Sequence, residues 1–170
     1  MTAGHLAGEP GRVVMKMNAI IDGPIIEALY RASQAGVRVD LIVRGICGLR
    51  AGVPGVSENI RVVSIVGRFL EHARIFTFTS GPATRYFIGS ADIMARNLDH
   101  RVEVVAPVED PVAQREVQHV IDLQLADTSL AWRLEPDGSW ARLADDPGAG
   151  ELLNSQDALL EHARRERTTG

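Results

Sequence analysis

The chain has 170 residues, with apolar residues at 45%, charged residues at 24% and a formal charge of −4. That balance fits one compact domain with a buried core, excludes an intrinsically disordered chain and argues against a general nucleic-acid binder. No apolar run reaches the roughly 18 residues of a membrane span, and the single cysteine, Cys47, excludes an internal disulfide and a thiolate metal site, leaving a reduced structural thiol.

Residues 1–12 read as a flexible start, and the first fifteen lack the basic and apolar blocks of a secretory signal, so a cytoplasmic location is the default expectation. A strand is predicted over 12–17. Asp22 then caps a helix with Pro24 in its first turn and Gly36 just past its end. Val37, Val39, Leu41 and Val43 alternate along a second strand, 37–43. A strand, helix, strand unit implies a parallel pair with a right-handed crossover, and ligands sit at the carboxyl ends of such strands. Arg44 is the first residue beyond that end.

The Gly/Pro-rich stretch 44–59 is a long loop, of a length that points to function or disorder. Strands follow over 60–66, 74–79 and 85–90, with 80–84 as a hairpin turn; 91–100 is irregular, and 101–108 is a further strand. A helix of about 17 residues starts at Asp110, with Val117, Val120, Ile121 and Leu125 as its inner stripe. Two short runs flanking Pro136-Asp137-Gly138-Ser139 form a small hairpin. After the linker 145–151, a last helix starts at Asn154 or Ser155, and its leucines need a partner, first of all the domain's own surface. The expected class is therefore α/β, a mixed sheet flanked by helices with a small C-terminal hairpin and helix.

Between Arg44 and Arg101, eight arginines stand against four carboxylates, so the middle of an acidic chain is basic. Guanidinium groups grip phosphate oxygens in pairs, and several around one cleft would suit a polyanion; a solvated arginine face is the plain alternative. Within this span His72 is the candidate for chemistry, because an imidazole exchanges protons near neutral pH or attacks phosphorus. Arg68 and Arg74 flank it as cations that would hold a phosphoryl oxygen. A histidine paired with Glu71 or a backbone carbonyl would be equally ordinary. Asp92 suits either an imidazole partner or a turn cap, and Arg101 and Glu103 suit an ion pair at a cleft edge. His5, His100, His119 and His162 are scattered without a second ligand at metal spacing, so no metal site is expected from the protein's own residues. Walker, GxGxxG and GxSxG motifs are absent.

Residues 16–75 (KMNAIIDGPII through FLEHARI), then FIGSADIMARNLDHRVEV at 87–104 and NSQDALLEHA near the end, closely resemble the C-terminal part of bacterial type 1 polyphosphate kinase. That family is similar to the phospholipase D superfamily, whose module is a histidine, one spacer and a lysine, followed later by Gly-Ser-x-Asn. Here the stretches are His72-Ala73-Arg74 and Gly89-Ser90-Ala91-Asp92, and the two departures put phosphodiester hydrolysis in doubt but not phosphate binding.

The resemblance implies a phospholipase D-like domain over 13–170. It implies reversible transfer of the ATP γ-phosphate to inorganic polyphosphate through a phosphohistidine, with magnesium accompanying ATP. Two such modules face each other in the family, and these residues match the second; the phosphorylated histidine belongs to the first. Arg44 corresponds to a nucleotide-phosphate contact and His72 to the second histidine, which contacts ATP and serves as acid or base. Arg74 and Arg101 are implied as further phosphate contacts, with Asp92, Glu103 and Arg68 behind them. Implied partners are ATP and ADP, polyphosphate, and the N-terminal, head and first phospholipase D-like domains of the kinase, with self-association through exposed apolar surface. The alternative is a homodimeric phosphodiesterase or nuclease that brings two His72 side chains together.

Overall fold

Strands β1 (Gly11–Met17) and β2 (Arg38–Val43) lie parallel, joined by helix α1 (Gly23–Gln34). The helix forms for the reasons its sequence gives: Asp22 Oδ1 accepts from the Ile25 N–H at 3.0 Å, and Gly36 leaves the helix in the left-handed region at φ 86°. A computed structural model describes residues 11–148 and 150–169. Most of the predicted flexible start, with His5, lies outside them; its last two residues, Gly11 and Arg12, already belong to β1.

Strand β3 (Ile60–Ile65) adds parallel to β2, while β4 (Arg74–Ser80) pairs antiparallel with the opposite edge of β1. Strands β5 (Ala83–Gly89) and β6 (Val105–Val108) continue that side. The predicted C-terminal hairpin, β7 (Ala131–Leu134) and β8 (Trp140–Arg142), does not stand apart. Its first strand pairs antiparallel with β3, which makes one mixed eight-stranded sheet in the order β6-β5-β4-β1-β2-β3-β7-β8.

Both faces of the sheet are covered. On one, Met15, Met17, Val39, Leu41 and Val43 pack with Leu29 of α1. On the other, Val14 and Ile75 meet Ile121 of α3 (Pro111–Ala126), with Val117 and Val120 alongside as the inner stripe required. Central strands buried on both sides read as nearly continuous apolar runs. The one charge among the buried β2 residues is Asp40, about which Arg12, Arg38 and Arg61 close at 2.7, 3.0 and 3.1 Å.

Several boundaries differ from the sequence reading. The turn at 80–84 narrows to Gly81 and Pro82, because Ser80 already pairs with Ala83. The strand predicted from 101 begins only at Val105. Ser90 and Val104 exchange hydrogen bonds, Ser90 N–H to the Val104 carbonyl at 3.0 Å and Val104 N–H to Ser90 Oγ at 3.1 Å, and the preceding residues leave the ladder. The segment taken as irregular holds a short helix, α2 (Ala95–Leu98).

Helix α4 (Ser155–Thr169) is capped by Asn154, whose Oδ1 accepts from the Gln156 and Asp157 N–H groups, and it packs on α3, within the domain's own surface. Its His162 meets Glu116 of α3 at 2.9 Å, and the His119 and His162 rings lie 4.5 Å apart. No helix among the described residues is long and apolar enough to cross a membrane.

Candidate functional site

The change of direction around β1 builds the site. Parallel β1 and β2 end at Met17 and Val43, antiparallel β4 begins at the same end of the sheet, and β5 finishes beside it, with Gly89 opposite Arg74. Asn18, Arg44, His72, Arg74 and Asp92 thus converge, with Arg101 and Glu103 entering from the segment before β6. Together they line an open cleft of ≈ 570 Å³. A side chain at Gly89 would place its Cβ 2.7 Å from the Val104 carbonyl, so only glycine lets that wall approach.

Arg74 and Asp92 are the fixed centre, with side chains 10% and 7% exposed. The guanidinium holds both carboxylate oxygens, Nε to Oδ1 at 3.2 Å and Nη2 to Oδ2 at 3.0 Å. Asn18 adds its N–H to Oδ1 at 2.8 Å and its side-chain amide to Oδ2 at 3.2 Å. Burial pushes the Asp92 carboxyl up, but these donors outweigh it and hold it below the usual carboxylate range. Asp92 therefore orients Arg74 rather than the imidazole that the sequence suggested as its partner.

Arg74 in turn meets His72: Nη1 donates to the His72 carbonyl at 2.8 Å and lies 2.8 Å from Nδ1 and 3.2 Å from Nε2. An arginine nitrogen only donates, so the ring nitrogen it meets presents a lone pair. The imidazole is exposed at the cleft; the carboxylate of neighbouring Glu71 turns inward to Lys16 instead.

Glu103 is bound to Ser90 and Asn97 rather than ion-paired with Arg101; its Oε1 accepts from Asn97 Nδ2 at 2.6 Å. The Ser90 hydroxyl, and after it the Asn97 amide, hold the Glu103 carboxyl below its usual range.

Of the eight arginines in the basic middle, four reach the cleft: Arg44, Arg74, Arg96 and Arg101. Arg61 is engaged by Asp40, Arg50 donates to the Pro136 carbonyl, and Arg85 lines a separate depression beside β6. Arg68 does not line the cleft. Its guanidinium stands 5.4 Å from the Phe69 ring centre in a neighbouring depression that also touches Arg44. Among the described residues Arg44, Arg96 and Arg101 have no ion-pair partner, so three guanidinium groups face one opening.

Sequence reasoning missed Asn18, Arg96 and Asn97 as cleft residues. Asn18 follows the end of β1 as Arg44 follows that of β2, so the strand-end rule that selected Arg44 selects it too. Outside the cleft, Glu116, His162 and Glu166 gather between α3 and α4, a grouping that the expectation of no metal spacing had not foreseen. The Cys47 thiol, pushed up by burial, packs against the core as the structural thiol expected.

Residues 2–156 match the family described as polyphosphate kinase C-terminal domain 2. The chain is 50% identical over 161 residues to polyphosphate kinase 1 of Chlorobaculum tepidum, covering 94% of this chain and 23% of that protein. The crystal structure of polyphosphate kinase from Porphyromonas gingivalis superposes with a TM-score of 0.93 at 37% identity, over 99% of this chain and 26% of that one. NucT from Helicobacter pylori shares the fold, with a TM-score of 0.54 at 13% identity, over 73% of this chain and 84% of that one. The chain thus spans about a quarter or less of the length of the kinases it matches, and its fold is the expected α/β class, a mixed sheet with flanking helices.

Proposed function

The chain belongs to the polyphosphate kinase C-terminal domain 2 family, and from that premise we propose that its cleft is one wall of a site that moves the ATP γ-phosphoryl group to and from inorganic polyphosphate. The observation that carries this reading is the set of three guanidinium groups without ion-pair partners, Arg44, Arg96 and Arg101, around an exposed His72. Polyanion binding needs cations that the protein has not already neutralised.

In this reading the rest of a polyphosphate kinase supplies the histidine that is phosphorylated. Its nitrogen forms a bond to the γ-phosphorus as the bond to the β,γ-bridging oxygen breaks and ADP leaves. The terminal oxygen of polyphosphate then attacks phosphorus, and the nitrogen–phosphorus bond breaks. The arginines of this chain hold phosphate oxygens through both steps, where fixed cations stabilise charge on the transferring group without reorganising. His72, steadied by Arg74, hydrogen-bonds the nucleotide phosphates and exchanges a proton with the leaving or attacking oxygen.

Asp92 and Glu103 are already engaged by Arg74, Asn18, Ser90 and Asn97, so the cleft carboxylates do not fit a resident magnesium site. Magnesium in this reading is the counter-ion that arrives with ATP. Exposed Leu70, Val102 and Val104, on the segments that carry His72 and Glu103, supply apolar surface for the rest of the kinase or for a second copy to cover.

The test is calorimetric binding of ATP with magnesium, and of polyphosphate, to the chain and to His72→Ala and Arg44→Ala. Binding that weakens in both variants supports the reading; equal affinity in all three refutes it. Hydrolysis of a nitrophenyl phosphodiester by a dimer, abolished by His72→Ala, would instead favour a homodimeric phosphodiesterase.

A further inference from the structure

The loop between β3 and β4, residues 66–73, is exposed except at one position. Residues 66–70 and 72–73 face solvent, and only Glu71 turns its side chain inward. The loop has little main-chain support of its own: the Val66 N–H reaches the Leu130 carbonyl at 3.4 Å. Arg74 Nη1 holds the His72 carbonyl at 2.8 Å, and side chains from three distant elements reach Glu71 and Phe69. Lys16 of β1, 2% exposed, donates to Glu71 Oε2 at 3.0 Å, and Gln124 of α3 donates to the same oxygen at 2.6 Å. Gln156, in the first turn of α4, donates to Glu71 Oε1 at 2.9 Å. The same amide clamps the Phe69 backbone, accepting from its N–H at 3.0 Å and donating to its carbonyl at 2.9 Å. Gly67 leaves room for this clamp, since a Cβ there would lie 2.6 Å from Gln156 Oε1.

We propose that Glu71, held by Lys16, Gln124 and Gln156, is a positioning residue for His72, so that α4 sets where the imidazole stands in the cleft; this rests on the role given to His72 above. Glu71 directly precedes His72, so holding its carboxylate inward fixes the backbone from which the exposed imidazole reaches the cleft. A buried ion pair brings little net stability over an apolar pair of the same shape, so the convergence of Lys16, Gln124 and Gln156 on Glu71 points to placement of the loop rather than to stability. Geometry is what a phosphate-contacting imidazole requires, because small misplacements are costly in rate.

The experiment combines amide exchange at Phe69, NMR of the His72 ring and a double-mutant cycle on ATP affinity. Gln156→Ala keeps a good helix former. Glu71→Gln with Lys16→Met removes both charges together, so neither is left buried alone. Both variants are expected to speed Phe69 exchange and change the His72 ring signals, and to weaken ATP binding about tenfold. In a His72→Ala background the same changes are expected to cost no further affinity. A loss of affinity as large without His72 as with it would overturn the proposal, as would faster exchange with unchanged affinity. If the wild-type chain bound neither ATP nor polyphosphate, the proposed function would fail; the positioning claim would still be judged separately, since unaltered His72 ring signals in Gln156→Ala would refute it.

Discussion

Arg74 closes a two-point fork on Asp92, Nε to Oδ1 at 3.2 Å and Nη2 to Oδ2 at 3.0 Å, and the nitrogen left over, Nη1, stands 2.8 Å from Nδ1 of His72. One planar cation therefore links a buried carboxylate to an exposed imidazole. A lysine has no second donor at that spacing and cannot do both.

Arg74→Lys is accordingly expected to cost about 1–3 kcal/mol of stability, because a buried carboxylate loses its paired donors. It is also expected to lower affinity for polyphosphate by roughly an order of magnitude, since His72 loses the guanidinium that steadies it and the cleft loses a forked donor. Thermal unfolding and calorimetry read the two effects; a variant unchanged in both would show that the fork is not needed.

Arg44 and Arg101 approach the opening from different segments, the loop after β2 and the run before β6. Each alanine substitution is expected to weaken polyphosphate binding about tenfold, the scale of one or two charge-assisted hydrogen bonds. Affinity in wild type should fall with added salt, and less steeply in each variant, because fewer charges remain to be screened. Titration over a salt series checks this; identical slopes would place the polyanion elsewhere.

Asp40 is the carboxylate of a separate cluster, 1% exposed in its side chain and held by Arg12, Arg38 and Arg61. Asp40→Ala removes the centre of three converging guanidinium groups, which are themselves partly exposed, and is expected to cost about 1–3 kcal/mol, the scale of lost hydrogen bonds to a charged group. None of these residues lines the cleft, so the fraction that folds should bind ATP as wild type does. Denaturant unfolding and binding, measured on the same samples, separate the two expectations.

Acid should expose the contribution of Asp92. Its folded carboxyl lies below the usual range, so its stabilisation is fully present above the unfolded pKa of about 3.9 and is lost as pH falls through the lower folded value. Urea unfolding of wild type should therefore weaken below about pH 4. Asp92→Asn, which has no proton to take up there, should show a shallower decline over that range. Parallel curves would mean that Asp92 does not contribute to the acid response.

The strand, helix, strand unit was legible because Val39, Leu41 and Val43 alternate and Asp22, Pro24 and Gly36 mark the helix ends. Arg44 followed from it, as the first residue past a strand. Arg68 was placed near His72 by sequence proximity alone, and the turn of the chain between them sends its guanidinium to Phe69 instead. Arg96 and Asn97 lay in a segment without periodicity, where a four-residue helix leaves no pattern to read. The sequence around Glu71 points only to its neighbour His72, whereas its partners Lys16 and Gln156 lie 55 and 85 residues away, contacts that only the folded sheet and α4 bring together.

Transfer from γ-labelled ATP with magnesium, by this chain alone and after mixing with the preceding part of a related polyphosphate kinase, decides whether the cleft is one half of a shared site. Labelled polyphosphate is expected only on mixing, and is lost when the chain carries His72→Ala. Acid-labile label on this chain by itself would contradict a shared site, because His72 would then be the nucleophile rather than its support.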